Sequence, residues 1–204
     1  MSFESVIVEA MKPTEIKSSL IRLGWPEELV DTQHELTVAI EHFQRGYARG
    51  VALSVDGIVG AKTEAAIRDC LAHDGLASKS FTWRQTASHG NGDIFPTRAL
   101  LMAGDVLKAF CLRTYGSFQA LSICRDPAWN IDQGGSTNPP SPHLSGEAID
   151  FTPHLTVAQA KGLRVFIGLE RWNRDGKIKH GDTATSRTRR GYSVKSPEVF
   201  WWPS

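Results

Sequence analysis

Cysteine is scarce in this chain: Cys70, Cys111 and Cys124 are the three in 204 residues. None belongs to a CxxC pair, which argues against both a disulfide framework and a thiolate zinc site. Charge of one sign is also missing. Lys and Arg number 23 against 22 Asp and Glu, a formal net charge of +1. No global electrostatic case remains for nucleic acid or an anionic membrane. The densest basic stretch, "SRTRR" at Ser186 to Arg190, reads as a solvated loop, with contact to an anionic polymer the lesser alternative. No run approaches the ~20 apolar residues that span a bilayer. The first residues, "MSFESVIVEAMKPTEIK", have neither a basic start nor a sustained apolar run. A Sec signal is therefore not expected, and synthesis in a reducing cytoplasm is. What is present is ordinary for a globular chain: 41% hydrophobic and 22% charged residues, with length enough for a core.

The first third reads as helical. "PTEIKSSLIRLGW" spaces Ile16, Leu20, Ile21 and Leu23 for one helix face, with Thr14 as a candidate N-cap and Gly24 as the stop. "HELTVAIEHFQRGY" repeats the pattern through Leu36, Ala39, Ile40 and Phe43. Asp56-Gly57 marks a turn, and Thr63 to Leu71 read as a third helix. Three short helices around one small core are expected over residues 1–75. "HDGLASKS", His73 to Ser80, is small and polar, and residues 76–80 are expected as a linker to a second domain over 81–204.

Those turn residues carry a resemblance. "FQRGYARGVALSVDGIVGAKTEAAI" resembles the second half of the peptidoglycan-binding domain carried by many cell-wall hydrolases. The matching positions are Phe43, Gln44, Val55, Asp56, Gly57, Gly60 and Thr63, and "EIKSSLIRLGW" is similar to that domain's first helix. The resemblance implies that the module binds peptidoglycan, with Asp56, Gly57 and Thr63 as candidates for the contact. Those same residues also suit a purely structural role, building the turn and capping the helix.

Beyond the linker the grammar changes. "TRALLMAGDVLKAFCLRTYG" is an amphipathic helix stopped by Gly116, and "FQALSIC" is a short strand-like run. "RDPAWNIDQGGSTNPPSP" is a long loop dense in Gly, Pro and Asn, and long ordered loops in compact domains are often functional. It leads to "SPHLSGEAIDF", Ser141 to Phe151. On a continuous helix His143 and Asp150 would lie ~10.5 Å apart along the axis, too far for one ion. Pro142 and Gly146 favour a turn instead, and "AIDF" reads as a buried strand bearing Asp150. A carboxylate between Ile149 and Phe151 costs several kcal/mol to bury unless it is paired or metal-bound. From the residues alone, a metal ligand and an ion-paired or capping aspartate both stand.

"SPHLSGEAIDF" resembles the Ser-x-His-x-x-Gly-x-Ala-x-Asp signature of the zinc D-alanyl-D-alanine carboxypeptidase and endopeptidase family. The preceding segment is similar too: Ser122-Ile123-Cys124-Arg125-Asp126, then Asn130, then Gly134-Gly135, although Ile-Cys replaces that family's Gly-Tyr. The resemblance implies an α+β domain with an antiparallel sheet, and zinc held by His143, Asp150 and His180. His180 enters through "KIKHGDT", where Asp182 stands two residues on and is implied as the group orienting a ligand histidine. Three protein ligands leave a zinc position for water, and the chemistry implied is attack of that water on a peptide carbonyl. Arg125, a permanent cation with a rigid fork, is the residue expected to steady the oxyanion or a substrate carboxylate, against an ion pair with Asp126. Ser141 is expected to hold the loop. The Trp201-Trp202 pair is expected in the core or a cleft wall.

Several branches of that family place an acid three residues before the final histidine. Here the position is Lys177, so Asp175 is the nearest carboxylate that could act as general base, although Asp175-Gly176 also reads as a hairpin turn. A Ser/His/Asp triad through Ser141 or Ser145 is the rival chemistry, and it lacks a Gly-x-Ser-x-Gly elbow. Together the two resemblances imply a monomeric cell-wall peptidase like a modular phage endolysin or a delivered toxin, with peptidoglycan as partner and no membrane insertion. The alternative is a wall-binding phage or secretion component with an inactive peptidase fold.

Overall fold

The computed structural model describes residues 10–88, 93–132, 135, 136, 138, 140–152, 178–184 and 198–203. Helix α1 (Pro13–Leu23) opens with proline at its first position, where the missing N–H costs nothing. Its cap position is therefore Lys12, and Thr14 lies inside the helix. The Glu15 carboxylate accepts the Lys12 N–H at 2.9 Å. Gly24, at φ 123°, ends the helix by donating its N–H to Leu20 and Ile21. Helix α2 (Gln33–Gly46) begins with a reciprocal cap: Thr32 Oγ1 accepts from Glu35 N at 3.2 Å, and Glu35 accepts from Thr32 N at 2.8 Å. Leu36, Ala39, Ile40 and Phe43 are all buried. Helix α3 (Ala61–Ala72) starts two residues ahead of the expected Thr63 and packs on α1.

Among the described residues one hydrophobic cluster runs from Ile16 to Phe151. Its centre is aromatic. Trp83, on the short helix α4 (Trp83–Thr86), is completely buried, with its ring centroid 5.0 Å from Trp25 and 5.2 Å from Phe43. Phe95 stacks on Trp25 at 4.1 Å. Gly46 makes the room: a Cβ there would stand 2.7 Å from the Trp83 ring. Within the segment expected as a linker, Ala77 and Ser78 are fully buried. The Ser78 hydroxyl donates to Asp105 at 2.8 Å, and the Ala77 carbonyl accepts the Ala48 N–H at 2.9 Å.

Helix α5 (Arg98–Tyr115) is capped by Thr97, whose Oγ1 accepts the Leu100 N–H, and ends at Gly116 in the left-handed region. It lies against an antiparallel sheet whose described strands are β1 (Gln119–Ser122), β2 (Ile149–Thr152), β3 (Ile178–Ala184) and β4 (Glu198–Pro203), in the order β1-β2-β4-β3. The architecture is thus α+β with an antiparallel sheet, as expected. Among the described residues no helix is long and apolar enough to cross a membrane.

Candidate functional site

The site forms where β1, β2 and the loop between them meet. Ala120 pairs with Phe151, but the next partner of Asp150 is Ser122, so position 121 is an extra residue in β1. Such a bulge re-aims the residues after it. Here it puts Ser122 directly opposite Asp150, and directly paired residues share a face. The loop, after a short helix α6 (Pro127–Asp132), returns through a 3-10 turn (Pro142–Ser145) that carries His143. Ser141 shapes that turn: its carbonyl accepts the Leu144 N–H at 2.9 Å, and its hydroxyl accepts the His143 N–H at 3.4 Å. Gly146 follows at φ 69°. A Cβ there would lie 2.2 Å from the Phe95 carbonyl oxygen, so the close approach requires glycine.

His143, Asp150 and Arg125 converge and are 6%, 4% and 7% exposed. The Arg125 guanidinium donates through Nη2 to Asp150 Oδ2 and through Nε to Ser122 Oγ at 2.9 Å. Arg125 N donates to the His143 carbonyl at 3.1 Å, tying the two segments together. The pairing with Asp150 neutralises a carboxylate flanked by fully buried Ile149 and Phe151. Asp126, the partner considered for Arg125 from the sequence, accepts the Trp129 N–H at 2.7 Å and so caps α6.

The histidine ring carries the chemical information. Its Nδ1 lies 2.8 Å from the Ile123 carbonyl, which can only accept. Nδ1 therefore bears the proton, and in the neutral ring Nε2 is a lone pair. That lone pair faces Asp150 Oδ1 at 3.2 Å. Two acceptors at this distance are reconciled by a cation between them, either a second ring proton or a metal ion. A histidine whose Nδ1–H is held by a backbone carbonyl has the orientation seen in zinc-ligand histidines, with Nε2 left for the metal. The pair accordingly fits one half of a zinc site.

No family model, curated protein or solved structure matches this chain.

The backbone register shows where the strand bearing the remaining expected ligand runs. Asp150 pairs with Phe200, and Phe200 with Asp182, so one row across the sheet reads Ser122, Asp150, Phe200, Asp182. His180, on β3, pairs with Trp202, and β4 runs between it and β2. Two strand spacings, ~9.6 Å, separate β2 from β3. Among the described residues no third His, Cys, Asp or Glu side chain joins His143 and Asp150. Asp175 and Lys177 lie outside the described residues, as do Gly134, His89 and His154.

Asn130 is completely buried beside the site, with Nδ2 donating to the Ser136 carbonyl at 3.1 Å and its own carbonyl accepting the Gly135 N–H at 2.7 Å. These bonds fold the Gly-rich loop. The cysteines are free and buried, and burial pushes their thiols up, Cys70 to about 11 and Cys111 to about 12. None has the lowered pKa of a nucleophile or a ready metal ligand.

In the helical module Asp56, Gly57 and Thr63 gather around one buried amide. Gln44 Nε2 donates to Asp56 Oδ1, the Ile58 carbonyl and Thr63 Oγ1, and its Oε1 accepts the Asp56 and Gly57 N–H groups. The Ile58 N–H, then Gln44, hold the Asp56 carboxyl below its usual range. What sequence reasoning left without a role is Ser122, the Ile123 carbonyl and Gln44. Gln44 had a signal in its polarity on an otherwise apolar helix face, and Ser122 in its place in the segment similar to the peptidase family; the Ile123 carbonyl had none.

Proposed function

We propose that the chain is a zinc-dependent peptidoglycan peptidase of two domains, a wall-binding helical module and a peptidase domain like that of the D-alanyl-D-alanine carboxypeptidase and endopeptidase family. The observation that carries this reading is the close approach of His143 Nε2 to the Asp150 carboxylate, with Nδ1 already committed to Ile123. His143, Asp150 and His180 would hold the metal, and zinc, when bound, supplies Lewis-acid activation of a water and of the peptide carbonyl. The chain's own groups do the rest. The Ile123 carbonyl fixes the ring and its tautomer. Ser122 and the His143 carbonyl fix Arg125, whose charge suits the negative charge developing on the peptide oxygen. The buried setting strengthens both effects by excluding water.

The test is release of soluble muropeptides from purified sacculi, followed by mass spectrometry, which also identifies the bond cut. The expected result is release by the wild-type protein. His143→Ala and Asp150→Asn should lower it by more than the ~10–100-fold that loss of an outer hydrogen-bond partner costs. No release by the wild-type protein with zinc supplied would sink the reading.

A second reading has one observation in its favour. Arg125 already neutralises Asp150, so the cluster can stand as a structural ion pair in a wall-binding protein without activity. Such a protein sediments with sacculi and leaves them intact.

A further inference from the structure

A cavity of about 350 Å³ lies between β1 and helices α4 and α5, lined by Phe81, Lys108, Phe118, Gln119, Ser122 and Ile123 among others. Its size is at the small end of ligand pockets, ~300–1,000 Å³. Two of its wall residues also build the candidate site: Ser122 Oγ holds Arg125, and the Ile123 carbonyl holds His143. The cavity is therefore one residue removed from the buried cluster. Its far wall is apolar, with the Phe81 and Phe118 rings edge to face at 6.1 Å. Lys108, half-buried on α5, supplies the charge. Its Nζ donates to the Ser80 carbonyl at 2.9 Å and stands 5.1 Å over the Phe81 ring. Both are neutral partners, and a carboxylate is a stronger one. The remaining wall is the chain from Phe118 to Ile123, and among the described residues β1 is an outer strand of the sheet. An outer strand offers main-chain donors and acceptors to an extended peptide.

We propose that this cavity is a subsite for the free carboxylate end of an extended peptide laid along β1, and that Lys108 determines the preference for that carboxylate. The proposal rests on the peptidase reading for the identity of the peptide, a wall stem peptide, and not for the binding itself. Lysine is a point charge on a flexible stem, so it would tolerate variation in the last residue while requiring its charge.

The experiment pairs two probes, a synthetic stem peptide with a free C-terminal carboxylate and the same peptide amidated. Binding of each to the full-length protein is measured by titration calorimetry, alongside turnover by chromatography. The acid should bind more tightly than the amide. Lys108→Met, which keeps the stem and removes the charge, should weaken the acid by ~10-fold, the size of one partly exposed charged hydrogen bond, and leave the amide unchanged. Lys108→Arg should retain the preference. Equal affinity for acid and amide, or equal loss of both in Lys108→Met, overturns the subsite, and turnover without a preference then leaves the peptidase standing alone. A preference lost in Lys108→Met but accompanied by no turnover supports the subsite and counts against the peptidase.

Discussion

Gln44 uses both ends of its amide to hold the turn through Asp56, Gly57 and Thr63, and it is 2% exposed. Replacing it by alanine strands the Thr63 hydroxyl and the Asp56 and Gly57 N–H groups at the edge of the core. Gln44→Ala should therefore cost ~2–4 kcal/mol of stability, from several lost partners and a small cavity. Urea unfolding measures it, and a loss below ~1 kcal/mol would show that the bond from Ile58 N to Asp56 keeps the turn unaided. The turn itself was legible, because Asp-Gly needs a positive φ at the glycine and Gly57 has it, at 69°. The hub was not legible, because a hydrogen-bond centre forms from residues up to nineteen positions apart. His143 and Asp150 show the same division. Their approach follows from Pro142, Gly146 and the strand pattern. The tautomer-fixing carbonyl of Ile123 has no side-chain signature at all.

At the scale of elements, helix periodicity and caps located α1, α2, α3 and α5 to within a few residues, and strand-like composition located β1. The boundaries that moved did so for local reasons, such as Pro13 claiming the first position of α1. The bulge in β1 was hidden because it depends on pairing with β2, a segment distant in sequence. So was the part played by α4. Trp83 seals the aromatic centre formed by Trp25 and Phe43 on the helical side. Arg98 at the start of α5 reinforces that join by donating to the carbonyls of Tyr47 and Gly50 at 2.6 and 2.7 Å. Composition at 76–80 reads as a spacer, yet Ala77 and Ser78 are buried because the aromatic cluster draws the chain across. Trp83→Ala in the full-length chain should cost ~3–5 kcal/mol, the usual toll for a buried tryptophan. Near-UV circular dichroism and denaturant titration report it. A change under ~1 kcal/mol would mean that the helical core closes without Trp83, and would favour independent folding of residues 1–75.

On the scale of the molecule, the sheet is what could assemble a metal centre from distant segments. Its order places β4 between the strand bearing Asp150 and the strand bearing His180, and the 3-10 turn delivers His143 to Asp150. The central claim is that these three positions hold zinc, and metal content tests it without reference to substrate. The measurement is zinc per chain after gel filtration, by plasma emission spectrometry, on the full-length protein and on His143→Ala and His180→Ala. The account predicts about one zinc in the wild-type protein, as a three-ligand site binds one ion, and loss of most of it in each variant. A wild-type protein that takes up no zinc, or undiminished zinc in both variants, would contradict it.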